Sequence, residues 1–200
     1  MQLVVTQFVS LDGVVQAPGG PEEDTDGGFA HGGWSMPYFH PETMGAEFDA
    51  VLGAADALLF GRRTWRVMAD VWPGRAGDPF ADRMNALPKH VASRTLAADG
   101  LDWNTTRLDP GDVPGDVRRL RERDGGTLLV MGSPGLAATL IAHDLVDEYR
   151  LMIVPITLGG GKRVFPDDGV ARPLELVASA ATPTGVIVTT YRPAAKGASA

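Results

Sequence analysis

The amino-acid sequence predicts a three-layer α/β domain, with helices on both faces of a central, mixed and mainly parallel sheet that ends in an antiparallel hairpin. Three observations carry this. Strand-like and helix-like segments alternate over most of the chain, the pattern of βα units. The run Leu128–Met131 inside Thr127–Met131 is continuously apolar, as in a strand covered on both faces. Leu174–Ala181 and Val186–Arg192 flank the turn residues Pro183-Thr184-Gly185 and close the chain as a hairpin. One domain is expected over residues 1–193, with 194–200 as a frayed tail.

Residues 2–9 (QLVVTQFV) are β-rich and stop at Ser10-Leu11-Asp12-Gly13, where Asp-Gly signals a turn. From Ala17 to Gly33 the composition shifts to six Gly, two Pro and the acids Glu22, Glu23, Asp24 and Asp26. A loop of that length in a compact domain is functional or disordered, and a flexible one is expected here. The aromatic patch Trp34, Tyr38 and Phe39 follows. Pro41 and Glu42 open a helix whose apolar face is Met44, Phe48, Val51, Leu52 and Ala55. Ala57–Phe60 is a strand, followed by Gly61-Arg62-Arg63-Thr64 and a short helix to Met68. Helices are expected at Asp78–Leu87, Val113–Arg123 and Leu136–His143, and strands at Lys89–Ser93, Thr105–Leu108 and Asp147–Pro155.

Composition removes several function classes. Lys and Arg number 18 against 25 Asp and Glu, a net charge of −7, which opposes a whole-domain grip on nucleic acid. No cysteine occurs, so thiol catalysis, thiolate metal sites and disulfides are excluded. His31, His40, His90 and His143 lack HxH or HExxH spacing and the Asp24/Asp26 stretch does not fit a calcium loop, so no metal is expected. No apolar run reaches a membrane-spanning length and the N-terminus lacks a basic leader, so the expectation is cytoplasmic, without a membrane.

Three strand ends carry the chemistry. In LLVM-GSPG-LAATLIAH a buried strand feeds a Gly-rich turn that opens a helix. Helix N-termini expose unpaired N–H groups and partial positive charge, and so suit phosphate; a plain strand-to-helix turn is the alternative. In LLF-GRRTW, Arg62 and Arg63 stand at a strand's carboxyl end, where ligands collect in open α/β sheets. Val91-Ala92-Ser93-Arg94 repeats the pattern. Arginine forks match phosphate oxygens, although one such pair alone better suits a surface salt bridge. Together Arg62, Arg63 and Arg94 are expected to form a local anion site in an acidic protein.

Ser10-Leu11-Asp12-Gly13, Leu59-Phe60-Gly61-Arg62-Arg63-Thr64-Trp65 and Val91-Ala92-Ser93-Arg94-Thr95 resemble the dihydrofolate reductase superfamily. Val130-Met131-Gly132-Ser133, Leu145-Val146-Asp147-Glu148 and Pro155–Phe165 narrow the resemblance to the reductase domain of the bifunctional riboflavin-biosynthesis deaminase-reductase and its stand-alone bacterial relatives. The resemblance covers about residues 2–192. It implies a dihydrofolate-reductase-like fold, a homodimer and NADPH as cofactor. By motif position, Gly61, Arg62, Arg63 and Thr64 would meet the diphosphate and adenosine side, and Ser93 and Arg94 the 2′-phosphate. Met131, Gly132, Ser133, Gly135 and Leu136 would cradle the diphosphate, and the backbone at Val14, Val15 and Gln16 would border the nicotinamide. The implied activity is NADPH-dependent reduction of a small, planar C=O or C=N compound, pterin-like or ribosylamino-pyrimidine-like. The alternative is a nucleotide-binding sensor that keeps the fold without turnover.

The sequence departs from the family in two places. The usual Gly-Gly after the central strand is Gly132-Ser133. The position of the folate-protonating carboxylate falls near Gly45, so dihydrofolate reduction is not the expected activity. Hydride transfer also needs a proton for the acceptor heteroatom. Asp12 is one candidate source, with an Asp-Gly turn role as its alternative. Glu47 is another, with a solvated helix flank as its alternative. Trp34, Tyr38 and Phe39 either wall a planar substrate or cap the core. The chain carries no deaminase domain and no zinc signature.

Overall fold

A computed structural model describes residues 1–75, 77–99 and 101–195. Eight strands form one sheet: β1 (Gln2–Ser10), β2 (Ala55–Gly61), β3 (Lys89–Ala92), β4 (Thr105–Arg107), β5 (Thr127–Met131), β6 (Glu148–Val154), β7 (Leu174–Ala181) and β8 (Ile187–Pro193), in the order β4-β3-β2-β5-β1-β6-β8-β7. Strands β1 to β6 run parallel. The antiparallel pairs are β6 with β8 and β8 with β7, so the closing hairpin turns its final strand inward and leaves β7 outermost. The helices are α1 (Ala46–Gly53), α2 (Arg62–Val71), α3 (Pro79–Ala86), α4 (Val113–Arg121) and α5 (Pro134–Ala142).

The period of two along the strands explains the three layers. Leu3, Val5, Ala57, Leu59, Leu128 and Val130 pack with Val117 and Leu120 of α4 and with Leu136, Ala137, Leu140 and Ile141 of α5. Their neighbours Val4, Leu58, Phe60, Leu129 and Met131 face the other way, onto Val51 and Leu52 of α1 and Met84 of α3, with Trp65 and Met68 of α2 alongside. The central strands are therefore apolar at successive residues because both faces are covered.

Three expectations change. The helix expected from Pro41 to Ala55 is a wide turn over Pro41–Gly45 followed by α1, and Ala55 starts β2. Ala55 is fully buried, as a helix-face residue would be, but it is paired with Thr127 of β5. The loop between Ala17 and Gly33 is tied down rather than loose. Gly33 N donates to Ala17 O, Ser35 N to Pro18 O and Trp34 Nε1 to Gln16 O at 2.7 Å. The tail expected from Ala194 begins with an anchored residue, since Ala194 N donates to Pro173 O, and residues 196–200 lie outside those described.

Lys89 is a buried cation. It is fully enclosed, its Nζ donates to Asn85 O at 2.7 Å, and it lies 4.3 Å from the Trp103 ring centroid. Burial lowers its pKa to about 8. A free lysine titrates near 10.4, so between about pH 8 and 10.4 the unfolded chain holds more protons than the folded one. Stability therefore rises with pH across that window. Urea unfolding at pH 7.5, 9 and 10 is expected to show this rise in the native protein and its loss in Lys89→Met.

Candidate functional site

Strands β2 and β5 are parallel neighbours, yet the helices leaving them go to opposite faces, α2 to one and α5 to the other. Such a divergence leaves a crevice beyond the strand ends. A groove of about 1020 Å³ lies there. Its lining includes Gly61, Arg62, Arg63, Thr64, Ser93, Arg94, Ser133, Gly135 and Leu136, so three strand ends far apart in the sequence meet in one place.

The helix caps differ according to whether they face this groove. Asp78 caps α3 by accepting from Phe80 N and Ala81 N, and Asp112 caps α4 by accepting from Gly115 N. Helices α2 and α5 begin at the groove, at Gly61 and Ser133, and neither has a side-chain cap. Neither N-cap residue accepts through a side chain from its own helix, so the first-turn N–H groups of two helices lack a capping side chain beside one cavity, an arrangement that favours anions. Pro134 fits the first turn of α5, where no donor is needed.

Ser133 joins the two turns. Its Oγ accepts from Gly61 N at 2.9 Å, which ties the β5 end to the β2 end and leaves its hydroxyl hydrogen for another acceptor. Gly132 and Ser133 both have positive φ, +62° and +57°. The serine pays roughly 1–2 kcal/mol for that conformation. Gly132 is held from both sides, its N–H donating to Thr6 O and its carbonyl accepting from Gln7 Nε2 at 3.0 Å. Met131 is buried in the core, so its side chain supports the turn from behind.

The three arginines share the groove but not the same state. Among the described residues, Arg62 and Arg94 enter no ion pair, whereas Arg63 Nη1 contacts Asp24 Oδ1 at 2.7 Å and also Asp26. Lys162 Nζ meets the same two carboxylates, at 2.5 Å and 2.9 Å. Asp24 is buried, which works against its charge, yet Lys162 and Arg63 hold its carboxyl below the usual range. Arg63 and then Lys162 lower that of Asp26 to about 2. Arg63 is thus not the free phosphate ligand that the sequence suggests. A second cavity of about 500 Å³ lies beyond this charged cluster, lined by Gln16, Asp26, Phe29, His31, Leu158 and Lys162 among others.

The segment after β1 is occupied with structure. Val15 N donates to Lys162 O, Val14 bridges Arg163, and the Gln16 side chain donates to Asp24 O and Asp26 O while accepting from Lys162 N. Gln16 thus borders the second cavity rather than the groove.

Neither proton-donor candidate is free. Asp12 accepts from Ser10 Oγ at 2.6 Å, from Leu158 N at 3.1 Å and from Gly159 N at 2.8 Å. The Ser10 hydroxyl, and then the two backbone donors against slight desolvation, lower its pKa to about 2, which is wrong for an acid at neutral pH. Its role is to hold the loop after β6 against the turn after β1. Asp12→Ala is expected to cost about 1 kcal/mol at pH 7. The folded pKa lies below the unfolded value, so this contribution is complete above about pH 4 and fades as pH falls toward 2. Urea unfolding of the two proteins should therefore converge in acid. Glu47 accepts from Arg150 Nη1 at 3.0 Å, and Arg150 also holds Glu148, so Glu47 is neither a solvated flank nor a free group in a cleft.

The aromatic candidates belong to the core. Trp34 is buried with Met44, Met152, Val154, Val186 and Val188, with Tyr38 and Phe39 packed against them, and none of the three lines either cavity. His40 is half-buried beside Glu42.

Among the groove residues that the sequence reading leaves out are Asp24, Lys162, Arg163 and Phe165. The signal for the last three is present in Pro155–Phe165, because the carboxyl end of β6 lies beside that of β1, with Ser10 paired to Val154.

Comparison with known proteins bears on the fold and the family. The uncharacterized protein YyaP of Bacillus subtilis (strain 168) is 26% identical over 195 residues, spanning 95% of this chain and 94% of that protein. A crystal structure of a putative riboflavin biosynthesis protein from Shewanella sp. PV-4 is similar with a TM-score of 0.70 at 19% identity, over 98% of this chain and 100% of that one. A pyrimidine reductase-like protein from Corynebacterium diphtheriae NCTC follows with a TM-score of 0.65 at 14% identity, over 98% and 92%. At such identities these two structures establish the fold, a dihydrofolate-reductase-like α/β sandwich. The model of the RibD C-terminal domain matches residues 1–188, a span that takes in every strand end bordering the groove, and on that match the chain belongs to the RibD C-terminal domain family.

Proposed function

We propose that the protein is an NADPH-dependent reductase acting on a small planar compound with a C=O or C=N bond, of pterin-like or ribosylamino-pyrimidine-like kind. The observation that carries this is the pairing of two uncapped helix N-termini with two arginines outside any described ion pair around one groove. That donor set fits a dinucleotide: N–H groups for a diphosphate, and forked cations for a further phosphate. On this reading Arg62 and Arg94 hold the 2′-phosphate beside Ser93, whose Oγ already accepts from Thr95 N and Leu96 N and so fixes the turn. The first turns of α2 and α5 take the diphosphate. When bound, the reduced nicotinamide supplies the hydride. The chain's part is to bind, orient and exclude water. With Asp12 and Glu47 both engaged, the proton for the acceptor comes from water.

The homodimer is part of this proposal. Its support is β7, the outermost strand, whose Leu176 and Val177 are about half exposed. The nucleotide-binding sensor without turnover remains a second reading, favoured by one observation: neither candidate carboxylate is available as a proton donor.

Calorimetric titration with NADPH and NADH, followed by absorbance at the reduced-nicotinamide band with pterins, ribosylamino-pyrimidines and quinones, separates these. Binding that prefers NADPH, with consumption for one class, supports the reductase. Binding without consumption across the panel supports the sensor. Absence of binding by either dinucleotide overturns both.

A further inference from the structure

Between the groove and the second cavity stands a closed set of four charges. Asp24 lines the groove, Asp26 lines the second cavity, and Lys162 lines both. Each carboxylate contacts both Arg63 and Lys162, so the two cations are neutralised internally. The carboxylates belong to the loop between Ala17 and Gly33, whereas the cations belong to the first turn of α2 and to the loop after β6. The loop is otherwise anchored at its two ends, at Phe29 and, through the Gln16 side chain, at the backbone carbonyls of Asp24 and Asp26. Gln16 Nε2 donates to Asp24 O and Asp26 O, Trp34 Nε1 donates to Gln16 O, and the Phe29 ring lies so near Gly161 that a Cβ there would stand 3.0 Å from it. A phosphate group in the groove presents anionic oxygens to the same Arg63, without asking the protein to desolvate a second cation.

We propose that Asp24 and Asp26 are an internal stand-in for a diphosphate: in the free protein they hold Arg63 and Lys162, and a dinucleotide in the groove takes these cations over and releases the loop from the wall between the two cavities. This rests on the nucleotide-binding reading above. The release joins the groove to the second cavity, which a reduction needs if cofactor and acceptor enter from different sides. Coupling of this kind is reciprocal: if ligand and carboxylates compete for the same cations, removing the carboxylates strengthens the ligand by the factor by which they had weakened it.

The test is the Kd for NADP⁺ by calorimetry, with amide hydrogen exchange over residues 17–33, in the native protein, in D24N/D26N and in Asp167→Asn. Asp167 lines the same groove but stands outside the four-charge set, so it measures the effect of a lost negative charge by itself. The double variant is expected to bind NADP⁺ about 10-fold more tightly, within the ordinary range of coupling, with under about 3-fold for Asp167→Asn. Exchange over the loop should rise in the unliganded double variant. In the native protein NADP⁺ should speed exchange at Asp26 N, which donates to Asp24 Oδ1. Asp26→Asn, changed at a half-exposed side chain, guards against misfolding of the double variant and should tighten binding by about 3-fold. Equal Kd for D24N/D26N and Asp167→Asn, or protection of Asp26 N by NADP⁺, overturns the latch while leaving the nucleotide reading intact. No binding in any of the proteins overturns both.

Discussion

Gly135→Asp is expected to weaken dinucleotide binding by at least about 100-fold while leaving the protein as stable as before, or slightly more stable. Gly135 lies in the first turn of α5, and a Cβ built there meets no heavy atom within 4 Å. Its φ is not in the left-handed region, so the substitution brings no backbone strain. A carboxylate in a first helical turn gains about 0.3–1 kcal/mol from the N-terminal partial charge. For a domain of this size that corresponds to a rise of roughly 1–3 °C in Tm. The same carboxylate supplies the acceptor that the α5 N-terminus otherwise lacks and repels a diphosphate at the same spot. Two unit charges about 4 Å apart near a protein surface repel by about 4 kcal/mol, and a 100-fold loss requires only about 2.7 kcal/mol. Gly135→Asn has the same shape without the charge and should stay within about 10-fold of the native Kd. Calorimetry and a thermal melt on the three proteins check this. Native affinity in Gly135→Asp would mean that the α5 N-terminus is not where phosphate binds.

The groove was legible in the sequence because it is made of chain-local signals. Each strand end that borders it is a short stretch of glycine, hydroxyl or arginine following an apolar run, and such a stretch turns at the sheet edge wherever the strand lies. Apolar periodicity also placed α2 to α5 and all eight strands to within a few residues. It failed at Ala55, because burial alone does not distinguish the last turn of a helix from the first residue of a covered strand. The loop acids were not legible as partners of Arg63 and Lys162. Asp24 and Lys162 lie 138 residues apart, and only the parallel pairing of β1 with β6 brings their loops together. Asp12 shows the same limit. Its position beside the expected nicotinamide suggests a proton donor, but what it does is set by Leu158 N and Gly159 N, donors even more remote in sequence. For the aromatic patch the sequence leaves substrate wall and core cap open, and the packing is that of a core cap. Trp34 is drawn inward by the Gln16 carbonyl and by Met44 and Met152, contacts invisible until β6 and the wide turn before α1 are in place.

Replacing Arg62 or Arg94 with alanine should each lower NADPH affinity by about 10- to 100-fold and leave NADH affinity within a few-fold of native, so that preference for the phosphorylated cofactor collapses. The argument rests on which charges are spare. Neither guanidinium is held by a carboxylate among the described residues, and both line the groove with Ser93 at the end of β3. A hydrogen bond to a charged group contributes about 1.5–3 kcal/mol, which converts to that fold-change at about 1.4 kcal/mol per tenfold. NADH lacks the 2′-phosphate and has nothing to lose there. The salt dependence of NADPH binding should flatten as well, since each variant removes one cation that attracts the ligand. Arg63 provides the internal contrast. Its Nη1 already answers to Asp24 and Asp26, and on the proposed latch it turns to the diphosphate that both dinucleotides share. Arg63→Ala should therefore change the two affinities by similar factors and keep their ratio. The ratio of NADPH to NADH Kd, measured for the three variants side by side, distinguishes a 2′-phosphate site built from Arg62 and Arg94 from a diffuse basic groove. In a diffuse groove all three arginines would shift the ratio alike.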